Sequence, residues 1–133
     1  MEDLNFLIEK NIQPTADELI NLFSQTTWAN GRNKYKIEKA LKRDDLVVCI
    51  RESGKLVGYG RIITDACFRG LLDDVIVDES CRGKGYGTLI VKSLLDLAAD
   101  VDEIFLNAND SLLEYYSQYG FEKFNGLTML RQN

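Results

Sequence analysis

Histidine is missing altogether from this 133-residue chain. That removes the commonest general base at neutral pH and the commonest side-chain metal ligand together. A Ser-His-Asp or Cys-His mechanism is excluded outright. Chemistry must therefore come from carboxylates, tyrosines, backbone groups, water or the substrate itself. Cysteine is scarce: Cys49, Cys67 and Cys81 are odd in number, far apart and in no Cys-x-x-Cys spacing. Neither a disulfide framework nor a zinc site is indicated, and no metal is expected. No apolar run approaches the ~20 residues of a membrane span. The start, Met1-Glu2-Asp3-Leu4-Asn5, lacks the basic lead and apolar core of a signal peptide. A cytoplasmic protein with no membrane partner is expected. Basic charge is also short, with 16 Lys and Arg against 21 Asp and Glu, a formal net charge of -5. Broad nucleic-acid binding needs a concentrated basic face, so no nucleic-acid partner is expected.

What is present describes one soluble globular domain over residues 1–133, with 45% hydrophobic and 28% charged residues. Repeats, linkers and low-complexity segments are absent. Thr15 and Glu18 have the capping-box spacing, which predicts a helix over residues 15–25. A second helix is predicted over 35–42. Residues 46–50 form a continuous apolar run of strand length, and Ser53-Gly54-Lys55 marks the turn to a partner strand over 56–64. A third buried strand is predicted over 71–77. A helix over 88–98, a short strand over 103–108 and a helix over 111–119 follow. Strands over 121–124 and 127–130 close the chain. The class is α+β.

Between the strand at 71–77 and the next helix lies Arg82-Gly83-Lys84-Gly85-Tyr86-Gly87. Glycine permits backbone angles closed to other residues and leaves room for a ligand. A helix start leaves N–H groups unpaired, and with the helix dipole they make an anion site suited to phosphate. The spacing is Gly-x-Gly-x-Gly, so the dinucleotide fingerprint Gly-x-Gly-x-x-Gly fails. The P-loop pattern is absent as well.

Residues 75–87 match, without a gap, the Arg/Gln-x-x-Gly-x-Gly/Ala signature of the GNAT superfamily of acyl-CoA N-acyltransferases. Tyr115-Tyr116-Ser117-Gln118-Tyr119-Gly120-Phe121 resembles that family's second signature. The resemblance is clear over residues 46–130. It implies a mixed, mostly antiparallel central sheet of six to seven strands flanked by about four helices. It also implies acetyl-CoA as the acetyl-donating cosubstrate. Val75, Ile76 and Val77 would pair with the pantetheine arm. Arg82, Gly83, Lys84, Gly85, Tyr86, Gly87 and Thr88 would hold the pyrophosphate, and Asn109 would touch the donor. Tyr116 would protonate the leaving thiolate. Relatives often carry proline where this chain has Glu79, which is expected to alter the loop and leave the phosphate site intact. Many relatives dimerise, often through C-terminal strands, so a homodimer is expected.

Transfer to an amine needs the neutral amine, and a lysine-like amine has a pKa of ~10.4. Without histidine, the candidate bases are Asp65, Asp73, Asp74 and Glu79. Asp73 and Asp74 are neighbours on a strand and should face opposite sides of the sheet. Asp74 is favoured because it should share a face with Ile76; the alternative is a pair of solvated strand-end charges. A phenol near ~10 can protonate a thiolate whose thiol is near ~8.5, which suits Tyr116. Trp28, in the linker between the first two helices, is a candidate to stack on the acceptor, and equally to anchor the linker. Asp65, Asp73 and Asp74 would suit a cationic amine. Residues 61–65 followed by 71–77 are similar to aralkylamine (serotonin-type) acetyltransferases, which implies a small-molecule amine acceptor. Polyamines, aminoglycosides, an amino acid and a protein N-terminus remain open as acceptors; a non-catalytic acyl-CoA-binding module and a nucleotide-binding protein are the readings of other classes.

Overall fold

The computed structural model describes residues 5–133; the start of the chain read above for a signal peptide otherwise lies outside the described residues. Five strands form one sheet in the order β1 (Phe6–Lys10), β2 (Leu46–Glu52), β3 (Lys55–Thr64), β4 (Arg69–Val77) and β5 (Glu103–Phe105). All neighbours are antiparallel except β4 and β5, which are parallel. Among the described residues, four α-helices complete the fold: α1 (Ala16–Phe23), α2 (Lys34–Leu41), α3 (Tyr86–Leu97) and α4 (Leu113–Ser117).

Helix α1 starts where the capping box puts it. Thr15 Oγ1 accepts from the Glu18 N–H at 3.2 Å, and Glu18 Oε1 accepts from the Thr15 N–H at 2.9 Å. Asn33 caps α2 by accepting from the Lys36 N–H at 2.8 Å. The unbroken apolar run of β2 follows from its position. Val47 and Cys49 face α1 and α2 together with Leu19, Phe23, Tyr59 and Ile76. Val48 and Ile50 face α3 together with Ile62, Leu72, Ile90 and Leu94. A strand covered on both sides cannot alternate apolar with polar.

Among the described residues the sheet has five strands, fewer than the six to seven expected. Residues 121–124 and 127–130 form no strand; Phe124, Leu127, Met129 and Leu130 are all exposed. Their alternating pattern has no ladder to join, since β5 covers only three residues. The strand expected to run to residue 108 ends at Phe105. Conversely, β1 is a strand that the patterning did not reveal. Phe6 and Ile8 pack towards the α3 side, while Leu7 is exposed.

β4 carries the irregularity that shapes the site. Tyr59 opposes Ile76 and Arg61 opposes Asp73, so two steps on β3 face three on β4. This is a β-bulge, and Asp74 sits in it with φ 56°. The extra residue reverses the facing of the strand. Leu72 packs under α3, yet Ile76, four residues on, packs under α1 and α2. Asp74, within the bulge, is on the same side as Ile76, as alternation over two residues predicts.

Candidate active site

β4 is paired to β5 only through Arg69, Gly70 and Leu71. Beyond Leu71 the two strands separate, and the edge of β4 from Asp73 to Val77 faces an opening rather than a strand. A cavity of about 460 Å3 fills this wedge. Its walls bring together Trp28, Asp73, Asp74, Val75, Asn109 and Tyr116, residues far apart in sequence.

The glycine-rich turn lies at the end of the same strand. Gly83 and Gly85 have φ of 83° and 84°, and a Cβ on either would meet nothing within 4 Å. Gly85 is the residue before α3, and no side chain caps this helix. Leu89 is the first residue of α3 whose N–H reaches back, to Gly85 O at 3.1 Å. The helix therefore offers uncapped first-turn amides, with positive dipole, beside open space. A Cβ on Gly87 would lie 3.9 Å from Val77 Cγ2, which places the helix start against the end of β4.

Side chains hold this turn from behind. Glu52, at the end of β2, accepts from the Tyr86 hydroxyl, from Lys84 Nζ at 3.0 Å and from the Cys81 thiol at 3.6 Å. The Tyr86 hydroxyl and the Lys84 ammonium keep the Glu52 carboxyl below its usual range. Arg82 Nε donates to Val77 O at 3.3 Å. Thr88 Oγ1 lies 3.2 Å from the Tyr115 hydroxyl, tying α3 to α4. The segment before the turn is tied to the residues that follow α1. Gln25 donates to Asp78 Oδ2 at 3.1 Å and accepts from the Glu79 N–H at 2.9 Å. A proline at 79, as in the family pattern, has no N–H to make the second bond.

Tyr116 stands on the far wall of the wedge. Tyr115 and Phe121 meet its ring edge-on, with centroids 5.0 and 6.0 Å away. Burial, then the neighbouring Tyr119, pushes its hydroxyl above the ordinary phenol range, so it stays protonated at neutral pH. Asn109 lies across the same space, at the start of a short 3-10 turn, Asp110–Leu112.

The two neighbouring carboxylates differ sharply. Asp74 is 4% exposed, and its Oδ2 accepts from Arg32 Nη1 and Arg61 Nε, each at 2.9 Å. Its Oδ1 has no hydrogen-bond partner among the described residues. Asp73 is half-buried and has no guanidinium within bonding distance among the described residues. Burial, and next the charge of Asp74, pushes its carboxyl above the usual range. Arg32 in turn stands over the rings of Phe23 and Trp28, at 4.9 and 5.7 Å. Trp28 itself is 55% exposed at the edge of the wedge.

Asp65 is not brought to this cavity. Its Oδ1 accepts from the N–H groups of Cys67, Phe68 and Arg69 at 2.9, 2.8 and 3.2 Å, which builds the β3–β4 turn. Those backbone bonds hold its carboxyl below the usual range. Glu79, also weighed as a base, begins the 3-10 turn Glu79–Cys81 and does not line the wedge. Arg32, Arg61 and Glu52 were not singled out from the sequence. Arg32 is 42 residues from the carboxylate it binds, and no local spacing marks such a pair.

An opened parallel pair of strands, an uncapped glycine-flanked helix start and a protonated phenol thus lie along β4. The chain belongs to the acetyltransferase (GNAT) family, whose model matches residues 14–121. Acetyl-CoA is the acetyl donor of that family. Over 128 residues the chain is 27% identical to "Uncharacterized N-acetyltransferase ycf52" of Pyropia yezoensis, covering 92% of this chain and 72% of that protein. It is 32% identical over 122 residues to a "Probable glucosamine 6-phosphate N-acetyltransferase" of Drosophila melanogaster, covering 80% of this chain and 56% of that one. A GNAT family acetyltransferase of Streptococcus pneumoniae has the same fold, with a TM-score of 0.80 at 20% identity over 96% of this chain and 98% of that one.

Proposed function

We propose that this chain transfers an acetyl group from acetyl-CoA to the nitrogen of a small-molecule primary amine, by direct attack while both are bound. The observation that carries this reading is the wedge itself. It places the free edge of β4, Tyr116 and two carboxylates around one cavity, beside the uncapped start of α3. Backbone groups of Val75, Ile76 and Val77 would hold the pantetheine arm. Amides from Gly83 to Thr88 would hold the pyrophosphate, with Arg82 and Lys84 adding positive charge. Asn109 would flank the arm. The open space at Gly83 and Gly85 supports this fit.

Asp73 is assigned as the proton acceptor. Its raised carboxyl faces the wedge, and a base is more useful the closer its pKa lies to working pH. Asp74, favoured from the sequence, already shares Oδ2 between two guanidiniums and is better suited to orient the amine. The amine nitrogen forms the new bond to the acetyl carbon, and the carbon–sulfur bond breaks. Asp73 takes the proton leaving nitrogen, and the Tyr116 hydroxyl supplies one to the departing sulfur. Trp28, over Arg32, would border the acceptor.

The aralkylamine-type likeness and the Drosophila relative's printed name both support a small molecule. We also propose a cytoplasmic homodimer. Three free thiols and the exposed apolar side chains of residues 124–130 support it. The reading is tested by supplying acetyl-CoA with panels of small amines and of peptides and following free thiol. Thiol release with small amines supports it. Acetyl-CoA binding without release across both panels identifies a binding module, and release confined to peptides identifies a protein N-acetyltransferase.

A further inference from the structure

The fold holds a second cavity, of about 280 Å3, between α1, α2 and the sheet. β3 reaches it by alternation. Gly60 and Ile62 lie on the α3 side, so Tyr59 and Arg61 face the other way, towards α1 and α2. On the neighbouring strand Cys49 stands opposite Tyr59 and Val47 opposite Arg61. Val47, Leu19 of α1, and Ile37 and Leu41 of α2 make apolar walls.

Two acids line this cavity, and both are already held by guanidinium groups. Asp45 is bound by Arg43 at 2.9 and 3.3 Å and accepts from the Thr64 N–H at 3.3 Å. Asp74 Oδ2 is shared by Arg32 and Arg61, and its Oδ1 is sealed from solvent. What is left over is a set of donors. Arg61 spends only its Nε on Asp74, and no acceptor meets its two terminal amino groups among the described residues. The Lys36 ammonium, at the exposed rim, has no acceptor among them either. Tyr59 is 3% exposed, yet its hydroxyl has no hydrogen-bond partner among them. Burial pushes that hydroxyl above the ordinary phenol range, so it keeps its proton at neutral pH. Asp74 Oδ1 is the one unpartnered side-chain atom sealed from solvent among the described residues, so the Tyr59 hydroxyl and the Arg61 amino groups are open to a ligand. Leaving a buried hydroxyl unpaired is costly, and an acceptor placed beside it removes that cost.

We propose that this cavity binds a small carboxylic acid: the carboxylate accepts from the terminal amino groups of Arg61 and from the Tyr59 hydroxyl, with Lys36 at the rim, and a single ring or short alkyl chain lies on the apolar walls. The planar fork of a guanidinium matches the two oxygens of a carboxylate. Arg32, Lys36 and Arg61 line the space, and of its two acids Asp45 is balanced by Arg43 from outside, so an anion is attracted and a cation repelled. The volume lies just below the roughly 300 Å3 at which sites for drug-sized ligands begin, which limits the body to one ring or a short chain. This chemistry has two sources. The carboxylate belongs either to the acetyl acceptor itself, an amino acid, or to a separate acid that is not acetylated. Both would act on Asp74, which is held by Arg32 and Arg61 and lines this cavity and the wedge alike. The first source alone rests on the transferase reading.

Calorimetry on the full chain without acetyl-CoA compares benzoate and hexanoate with benzamide, hexanamide and benzylamine. The two acids should bind about tenfold or more tightly than their amides, the scale of a hydrogen bond to a charged group, and benzylamine more weakly still. Tyr59→Phe removes an unpartnered hydroxyl and keeps the ring. It should melt at or above the wild-type temperature and bind benzoate about tenfold less tightly. Lys36→Gln keeps the backbone N–H that Asn33 caps. It should weaken benzoate roughly two- to fivefold and flatten the salt dependence of binding. Thiol release from acetyl-CoA then separates the sources, with 4-(aminomethyl)benzoate and 6-aminohexanoate each set against its amide. A kcat/KM about tenfold above the amide, with the advantage lost in Tyr59→Phe, supports the site as a seat for the acceptor's own carboxylate. Equal rates for acid and amide, with benzoate still bound, support a separate acid. Benzoate binding with no thiol release from any amine or peptide supports the site and refutes the transferase reading. Acids bound no more tightly than their amides, or benzoate affinity unchanged in folded Tyr59→Phe and Lys36→Gln, overturn the inference and leave the transferase reading intact.

Discussion

Replacing Gly85 by alanine separates two roles of the turn before α3. Gly85 has φ 84°, and a Cβ there would meet no atom within 4 Å. The fold itself therefore exacts only backbone strain, about 1–2 kcal/mol for a non-glycine residue in the left-handed region. For a chain of this size that lowers Tm by about 4–8 °C. Gly54, in the turn between β2 and β3, supplies the control. Its φ is 82° and its Cβ position is equally open, but it is not part of the glycine-rich turn. Gly54→Ala should therefore cost the same stability. If phosphate occupies the space at Gly85, the added methyl displaces it from the first amides of α3. Losing one charge-assisted hydrogen bond of about 1.5–3 kcal/mol weakens acetyl-CoA binding roughly 10- to 150-fold. Melting by calorimetry and titration with acetyl-CoA read the two effects independently. Equal losses of Tm, with binding lost only in Gly85→Ala, are expected. Wild-type affinity in Gly85→Ala, or equal weakening in Gly54→Ala, would refute the phosphate assignment.

Tyr116→Phe should lower turnover by about a hundredfold, the usual scale of a lost general acid, with acetyl-CoA affinity within about twofold of wild type. Unchanged turnover in rapid-mixing assays ends its assigned role. Asp73→Asn should depress kcat and flatten the acid limb of the pH–rate profile, because the raised carboxyl that titrates there is gone; a retained limb points to another base. The bond from Arg51 and those from Thr15 hold the Glu18 carboxyl at about 2, below its ordinary 4.5. A depressed carboxyl contributes its stability above the unfolded value and loses it as pH falls towards the folded one. Urea midpoints of wild type and Glu18→Gln should differ at pH 7 and converge between pH 4.5 and 2; a gap independent of pH contradicts this.

Local signals in the sequence located most elements. The Thr15–Glu18 box, the Gly54 turn and the glycine-flanked start of α3 are each set by neighbours a few residues away; the first two appear where the pattern puts them, and α3 begins at Tyr86, two residues before the expected start. β1 escaped notice because five residues with one exposed leucine and a charged end make a weak period-two signal. Residues 121–130 misled for the opposite reason: alternation indicates a strand only where a partner edge is available. At the site, the two signature motifs are visible in the sequence because each is a short local pattern, and the resemblance they carry is what singles out Tyr116 and the turn before α3. Asp65 has the chemistry of a site residue, but backbone bonds that composition does not reveal hold it in the β3–β4 turn. Arg32 and Arg61 were illegible because their role exists only after α1, α2 and β4 have packed. The bulge was equally hidden: Asp74 sits in the left-handed backbone region that aspartate visits more readily than most residues.

That bulge makes the length of β4 matter as much as its composition. Deleting any single residue between Asp73 and Ile76 would restore a regular pleat and reverse the facing of one half of the strand against the other. Either Leu72 would leave the core beneath α3, or Ile76 and the strand after it would turn over and carry the glycine-rich turn out of place. Substitutions at these positions can be absorbed one side chain at a time. A change of a single codon in number cannot, so insertions and deletions here should be excluded from functional variants of this chain even where replacements are accepted.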